Sequence, residues 1–365
     1  MKNSRPTVHG EHTPLACVAR RLAGPTLLLA GRQQQHARRV RYPITAFIIT
    51  ILTTSLTAAP KVDFPKIKPV QPNLKAIHAM AASPDGRLLA LGRFGRVDLS
   101  EIGHKNILQN PLLGHGGAVN ALAFSPRGEI LYAAGGNAGL EGEIKIWRVK
   151  DHKLLRTITG HRDTIYALTV SPDGQRIATG SYDQQIILWN TKDGKPVRTF
   201  KGHNGAIFGL AFRRDGRVLA SASADATVKL WNTQTGQRLD TLSQPLKAQN
   251  AVAFSPDGKP LIAAGGDNRI RAWAISPTAA EGTNPLLHSR FAHDGSLLKL
   301  AWSADGKTLL STANNHSAKL WHADGIRPLR DLGQLTDWPT AGALSNQQAF
   351  IGQLDGALLS FPIQK

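Results

Sequence analysis

The stretch from Gly202 to Asn232 reads GHNGAIFGLAFRRDGRVLASASADATVKLWN and contains the pattern that decides the fold. Apolar residues alternate with small or polar ones before and after its Arg-Asp-Gly turn, which is typical of a β-hairpin with one buried face. A third apolar run ends at Trp231, and a turn at 233–236 precedes a fourth short strand near Arg238. The sequence therefore predicts a unit of four antiparallel strands.

The same pattern recurs along most of the chain. Its turn, most often Ser-Pro-Asp-Gly, returns in steps of 42 to 48 residues, and the seven copies begin at residues 83, 125, 171, 213, 255, 303 and 345. Four tryptophans each follow their turn by 18 residues: Trp189, Trp231, Trp273 and Trp321. A period of this length indicates units that cannot bury both faces alone and that stack on their neighbours.

The units share further residues: Gly-His pairs before the first strand, an aspartate in a later loop, and a closing Leu-Trp-Asn in the third and fourth units. Together with the turns, these motifs resemble the WD40 repeat, and the resemblance covers about 300 of the 365 residues. It implies an all-β fold, a seven-bladed WD40-type β-propeller over residues 61–365. The ends depart from the pattern, since Leu99 and Phe361 replace the tryptophan.

Closure of the ring needs one more strand. The last unit ends after its third predicted strand, near Phe361, so its fourth strand must come from elsewhere in the chain. The stretch 61–70 precedes the first unit, and in the WD40 family the N-terminal strand commonly completes the last blade. The resemblance thus implies a ring closed by this stretch. Pro65 and Pro69 weaken the strand, although an outer edge tolerates proline.

Two units carry matched sets of polar residues: His161, Ser181, Asp183 and Trp189 in one, and His203, Ser223, Asp225 and Trp231 in the other. The resemblance implies that each set is a hydrogen-bonded tetrad, in which the indole N–H donates, the carboxylate accepts, and histidine and serine do both. The alternative is a Ser–His–Asp catalytic group, but its recurrence in two units favours a structural role. Poorer copies keep only the loop residue, Asp267, Asn315 or Asp355, and Pro245 replaces the fifth unit's histidine.

A partner-binding face is predicted at the end of the units around the central channel. Alignment on the turns places equivalent residues there: His78, Asn120, Tyr166, Phe208, Asn250, Leu298 and Thr340. Neighbouring loops add Tyr182, Trp338 and Phe94, and Arg93 and Arg96 flank the last of these. Exposed aromatic side chains anchor protein interfaces, so the candidate face consists of Tyr166, Tyr182, Phe208, Leu298, Trp338 and Phe94. The alternative is that these side chains pack on loops or line the channel.

Residues 1–60 are predicted to be a targeting segment outside the fold. A basic cluster, Arg38, Arg39 and Arg41, precedes the apolar stretch 44–59, which ends in small residues. This order is typical of a secretory signal, and the stretch is short for a membrane span, which needs about 20 residues. We therefore expect export across a bacterial inner membrane, to the periplasm or beyond. An uncleaved inner-membrane anchor and a transit peptide are the alternatives.

Composition and motifs narrow the function. The chain is 41% hydrophobic and 19% charged, as in globular proteins, and its formal charge of +19 forms no basic stripe interleaved with aromatics, so no nucleic acid partner is expected. The single cysteine, Cys17, and the scattered histidines give no metal-ligand spacing, and no phosphate-binding loop is present, so no cofactor is expected. The sequence predicts a non-enzymatic protein-protein interaction scaffold. The alternative is a propeller enzyme or small-ligand-binding protein that uses the central channel.

Overall fold

The computed structural model describes residues 72–103 and 110–363. Within these residues the regular elements are antiparallel β-strands and one short 3-10 helix, so the predicted all-β fold is confirmed. In this part of the chain no helix is long and apolar enough to cross a membrane. The predicted targeting segment, residues 1–60, and the predicted closing strand, residues 61–70, lie outside the described residues.

The strands follow the repeat units found in the sequence. The first three units contain β1 (Ala79–Ala82), β2 (Leu88–Gly92), β3 (Phe94–Glu101), β4 (Leu112–Phe124), β5 (Ile130–Asn137), β6 (Glu141–Arg148), β7 (Lys153–His161), β8 (Ile165–Val170), β9 (Arg176–Ser181), β10 (Ile186–Asn190) and β11 (Pro196–Phe200). The fourth and fifth contain β12 (Ile207–Phe212), β13 (Val218–Ser223), β14 (Val228–Asn232), β15 (Arg238–Leu242), β16 (Gln249–Phe254), β17 (Pro260–Gly265), β18 (Arg269–Ala274) and β19 (Leu286–Phe291). The last two contain β20 (Leu297–Trp302), β21 (Thr308–Ala313), β22 (Ser317–His322), η1 (Asp324–Ile326), β23 (Arg327–Gln334), β24 (Pro339–Leu344), β25 (Gln348–Gln353) and β26 (Leu358–Pro362).

Each unit is a sheet whose strands pair in chain order. Units 3 to 6 are separate four-stranded sheets, whereas β1 to β7 form one continuous sheet. The reason is that β4 belongs to two units: Leu112 and Leu113 pair with β3, and the residues from Ala118 onward pair with β5. Unit 7 contributes three described strands, β24 to β26.

The Ser-Pro-Asp-Gly turn joins the first and second strands of a unit by local hydrogen bonds. In unit 1 the Ser83 hydroxyl donates to Asp85 Oδ1 at 2.5 Å, and the Gly86 N–H donates to the Ser83 carbonyl at 2.9 Å. Gly86 has φ of +71°, a conformation that glycine adopts without steric cost. The same serine-to-aspartate bond occurs at Ser171 and Ser303, so the motif encodes this turn.

Apolar side chains fill the space between neighbouring units. Trp231 of β14 is almost fully buried, and its ring lies 5.7 Å from that of Phe200, which belongs to β11 of the preceding unit. Burial of one large apolar side chain contributes about 2–3 kcal/mol. The stability of each unit therefore depends on the next one, as expected for stacked repeats.

The first strands of the units lie side by side. They contact one another in chain order, β1, β4, β8, β12, β16, β20 and β24, and β24 also contacts β1. Together they line one central cavity. We call the end of the units that bears the Ser-Pro-Asp-Gly turns the lower end. The upper end bears the segments before the first strands and the loops between the second and third strands.

Candidate functional site

In units 3 and 4 a buried hydroxyl group joins histidine to tryptophan. In unit 3, Trp189 Nε1 donates to Thr179 Oγ1 at 2.7 Å, and His161 Nε2 lies 2.8 Å from the same oxygen. His161 Nδ1 lies 2.9 Å from Asp183 Oδ2, which also accepts the N–H of Arg162. Each polar atom of the network thus has a partner, which fixes the position of the upper loop.

Unit 4 repeats this geometry with a serine. Trp231 Nε1 donates to Ser221 Oγ at 2.8 Å, and His203 Nε2 lies 2.6 Å from that oxygen. His203 Nδ1 lies 2.7 Å from Asp225 Oδ2. Burial opposes ionisation of Asp225, but hydrogen bonds from His203 and from Thr227 outweigh it, and its pKa is held below the ordinary value.

The sequence interpretation assigned the wrong hydroxyl groups to these networks. Ser181 donates to the Asp163 carbonyl and accepts the N–H of Asp183, and Ser223 makes the equivalent bonds in unit 4. The hydroxyls between histidine and tryptophan belong to Thr179 and Ser221, two residues earlier. Residues two apart on a strand point to the same face, so both hydroxyls are on the correct side, but only the earlier one lies under the indole.

A third network, which the sequence analysis missed, occurs in unit 6. His293 Nε2 lies 2.7 Å from Ser311 Oγ, and Trp321 Nε1 donates to the same oxygen at 2.8 Å. His293 Nδ1 is partnered by Ser317, which donates in turn to Asn315. The 18-residue spacing from histidine to hydroxyl and the 10-residue spacing from hydroxyl to tryptophan, common to the three networks, are the signals that identify this copy.

The remaining units are incomplete. Unit 5 lacks the histidine, and Trp273 Nε1 donates instead to Gln244 at 3.1 Å; the loop residue Asp267 forms a buried ion pair with Arg271 at 2.6 Å. Asp355, in unit 7, accepts the N–H of Ala357. In none of these described sets is the hydroxyl both exposed and beside an unengaged base, which a serine nucleophile requires.

The residues predicted to surround the channel lie mostly at β-bulges. Strand pairing skips one residue near the start of each of β4, β8, β12, β16, β20 and β24: Asn120, Tyr166, Phe208, Asn250, Leu298 and Thr340. Such residues are unpaired in the ladder, and a bulge redirects their side chains.

Several bulge residues bind the next unit rather than solvent. Asn120 donates to the Ile165 carbonyl at 3.2 Å, and Asn250 donates to the Leu297 carbonyl at 2.6 Å. Thr340 Oγ1 donates to the carbonyl of Ile77, which belongs to unit 1. These bonds connect units 2 to 3, 5 to 6 and 7 to 1.

The candidate face is therefore smaller than predicted. Phe208 is 4% exposed and Leu298 is 2% exposed, so neither presents a surface to a partner. Tyr166, Trp338 and Phe94 are half-buried. Tyr182, at 45% exposure, is the most exposed member of the set. The physical reason is the bulge, which turns Phe208 and Leu298 into the protein.

Three aromatic rings at the upper end form a continuous cluster. The Tyr166 ring lies 5.6 Å from that of Phe208 in an edge-to-face arrangement and 6.3 Å from that of Tyr182. Burial raises the pKa of Tyr166, so its phenol stays neutral. Phe208 thus supports Tyr166, and Tyr166 supports the exposed Tyr182, which gives a rigid aromatic surface.

The central channel contains a charged residue that sequence analysis missed. A cavity of about 180 Å³ is lined by residues from the first strands of all seven units, and Lys299 of β20 is its only lysine, arginine or acidic residue among those described. Burial lowers the pKa of Lys299 to about 8. Alignment of the units one position beyond the predicted ring, at the fourth residue before each turn, reveals this lysine among alanines and glycine.

Nearby groups at the upper end supply no negative charge to this lysine. Burial, together with Lys299 and Arg93, lowers the pKa of His78 to about 4, so the imidazole is neutral at pH 7. Arg93 is itself paired with Asp98 at 2.7 Å. Among the described residues, no group of three or more His, Cys, Asp or Glu side chains is arranged to hold a metal ion.

Comparison with known proteins places the chain among WD-repeat proteins. The family model described as "IFT122 first beta-propeller" matches residues 137–357, more than half of the chain, and the model described as "WD domain, G-beta repeat" matches residues 106–148.

Three relatives illustrate the range of similar proteins. The "Intraflagellar transport protein 122 homolog" of Mus musculus is 39% identical over 66 residues, 18% of this chain and 5% of that protein. The "Uncharacterized WD repeat-containing protein sll1491" of Synechocystis is 29% identical over 105 residues, 29% of each chain. "Protein groucho" of Drosophila melanogaster is 27% identical over 112 residues, 30% of this chain and 15% of that protein. The matched segments cover less than a third of each relative.

Proposed function

Because the chain belongs to the WD40 β-propeller family, we propose that it is a non-enzymatic scaffold that binds a protein or peptide at its upper end. WD40 domains generally bind proteins, and their families are generally not enzymes. The observation on which the proposal depends is Tyr182, an exposed aromatic side chain supported from below by Tyr166 and Phe208. Rigid aromatic side chains of this kind provide much of the affinity of protein interfaces.

The proposal includes a closed ring of seven blades. Its support is the contact between β24 and β1, together with the bond from Thr340 to Ile77. The segment before β1 also runs along unit 7, since Asn73 Nδ2 donates to the Leu354 carbonyl at 2.7 Å. A chain that enters β1 from unit 7 is correctly placed for residues 61–70 to supply the fourth strand of that unit, as the sequence predicts.

The histidine networks support a structural rather than a catalytic role. The hydroxyls of Thr179 and Ser221 are fully buried and are engaged by both histidine and tryptophan. A catalytic hydroxyl must reach a substrate. The scaffold interpretation uses these groups to hold the upper loops, on which binding residues such as Tyr182 are presented.

Export is proposed on the sequence of residues 1–60, a basic cluster followed by the apolar stretch 44–59. Cell fractionation with sequencing of the mature N-terminus tests it. A periplasmic or secreted protein that begins near residue 60 is the expected result. A membrane-bound protein with an intact N-terminus would identify the stretch as an anchor, and an intact cytosolic protein would contradict export.

Quantitative co-purification tests the proposed surface. The full chain is compared with Tyr182→Ala and with Gln175→Ala, which changes an exposed residue of the same unit at the lower end. Partners recovered with the native chain and with Gln175→Ala, but depleted with Tyr182→Ala, are the expected result.

The depleted partner is then purified and its affinity measured directly. Loss of an aromatic anchor costs at least about 2 kcal/mol, or roughly thirtyfold in affinity. If the two variants recover the same partners in the same amounts, the upper end around Tyr182 is not the binding surface.

A further inference from the structure

One position of the channel wall differs from its six equivalents. The fourth residue before each turn lines the cavity in every unit: Ala79, Ala121, Ala167, Gly209, Ala251, Lys299 and Ala341. Six of these residues are small and leave the channel open. The seventh carries a primary amine on a long side chain, so unit 6 alone places a charge in the lumen.

The rest of the wall provides no counter-charge. The next position in each unit, one residue closer to the turn, is apolar in six units and glycine in the seventh: Met80, Leu122, Leu168, Leu210, Val252, Leu300 and Gly342. No carboxylate lines the cavity, and no hydrogen bond or ion pair joins Lys299 Nζ to another of the described residues. A desolvated cation without a partner is unfavourable, so the site favours an anion.

Neighbouring polar groups are suited to a small ligand but do not neutralise the lysine. Asn250 lines the same cavity, and its Oδ1 atom has no hydrogen-bond partner among the described residues; neither has Nε2 of the buried His78. His78 is neutral at pH 7 because its pKa is about 4, Arg93 is paired with Asp98, and the phenol of Tyr166 is un-ionised. Lys299 is therefore the charge that a ligand meets in the channel.

We propose that the central channel binds one small oxyanion, a carboxylate or a phosphate, through the ammonium group of Lys299. The cavity volume of about 180 Å³ corresponds to about six water molecules at roughly 30 Å³ each. Drug-sized ligands need about 300 Å³ or more. The channel therefore accommodates a group of a few heavy atoms and excludes a nucleotide. This site does not depend on the proposed scaffold function, since it lies inside the ring and not on the Tyr182 surface.

Calorimetric titration of the purified full chain tests the site. Acetate and inorganic phosphate are added separately at pH 7 and constant ionic strength, which distinguishes the two sources of oxyanion. The Lys299→Met variant keeps the length of the side chain and removes its charge. Lys299→Arg restores a cation, and Lys307→Met removes an exposed lysine of the same unit.

Saturable binding of one equivalent of at least one anion to the native chain and to Lys307→Met is expected, with binding at least tenfold weaker in Lys299→Met and partly restored in Lys299→Arg. Acetate keeps one charge between pH 6 and 9, so its affinity is expected to fall as pH rises through about 8, where Lys299 loses its proton. Equal affinities in the native chain and Lys299→Met, or no saturable binding of either anion, would overturn the proposal. Thermal unfolding of each variant verifies that the fold is intact.

Discussion

Units 3 and 4 hold their histidine in one way, and unit 2 holds it in another. In units 3 and 4 a hydroxyl group joins histidine to tryptophan, and a loop aspartate binds the other ring nitrogen. In unit 2 the hydroxyl position is Ala133, and neither His115 Nε2 nor Trp147 Nε1 has a hydrogen-bond partner among the described residues. The same backbone frame therefore forms with and without the network.

Unit 2 also uses a different carboxylate. Glu143 stands four residues before its tryptophan, and its Oε1 atom lies 3.3 Å from His115 Nδ1 and accepts the Gly116 N–H at 2.6 Å. Lys145 lies 3.2 Å from the second oxygen. Burial opposes ionisation of Glu143, but these partners outweigh it and lower its pKa to about 2.

Unit 6 resembles unit 2 in this respect, because Ser317, four residues before Trp321, binds His293 Nδ1. The residue that holds the histidine in place thus comes from either the loop or the third strand. The comparison teaches that the network has two separable parts, the hydroxyl under the indole and the group on Nδ1, and that each part contributes to stability.

Removal of the shared hydroxyl is expected to have the largest effect. Ser221→Ala leaves His203 Nε2 and Trp231 Nε1 buried without a partner, and each unsatisfied group costs about 1–3 kcal/mol. The free energy of unfolding, measured in urea, should fall by about 3 kcal/mol.

Ser223→Ala is the matched control, since Ser223 contacts only backbone groups at the loop, and a loss of about 1 kcal/mol is expected. A larger loss in Ser223→Ala than in Ser221→Ala would show that the hydroxyl chosen from sequence is the important one after all.

Acidification should reveal the difference between unit 6 and the units with a loop aspartate. Burial and Lys319 lower the pKa of His293 to about 4. Because the unfolded chain takes up this proton near pH 6.5 and the folded chain does not, His293 contributes stability that is complete above pH 6.5 and is lost as pH falls toward 4. The loss between pH 7 and 5 is about 2 kcal/mol from this residue.

Chemical unfolding as a function of pH measures this slope. His293→Gln should flatten it, whereas the same change at the exposed His322 of the same unit should leave it unaltered. An unchanged slope in His293→Gln would mean that the proton uptake on unfolding belongs to other residues.

Completion of the network in unit 2 is expected to have the smallest effect, and in the opposite direction. Ala133→Ser places a hydroxyl where Thr179 and Ser221 stand in their units, within reach of Trp147 and His115. Two buried groups gain a partner, and stability should rise by about 1 kcal/mol.

A double-mutant cycle with Trp147→Phe isolates the indole contribution. The gain should shrink when the indole N–H is absent. A gain of the same size in both backgrounds would assign the effect to something other than the hydrogen bond.

Much of the fold was predictable because the sequence repeats its own turn chemistry. The serine and aspartate of each turn bind each other, so the motif marks a hairpin directly, and the tryptophan spacing places the third strand. The identity of the network hydroxyl was not predictable in this way. Thr179 and Ser181 lie on the same face of β9, and only the tertiary position of the indole distinguishes them.

The bulges account for the other errors. Strand alternation treats Phe208 and Leu298 as regular positions, but both stand at the extra residue of a bulge and turn inward. The same irregularity brings the following position, occupied by Lys299 in unit 6, into the channel. A sequence read one position at a time cannot show that two adjacent residues both belong to the central ring.

Site-specific photocrosslinking in cells tests the central claim, that this chain acts by binding at its upper end, most directly. A benzophenone amino acid replaces Tyr182 in one full-length variant and Gln175, at the lower end of the same unit, in the other. The account predicts a discrete crosslinked protein or peptide at position 182 that is absent at position 175. Crosslinks of equal yield at both positions, or a partner captured at position 175 alone, would contradict it.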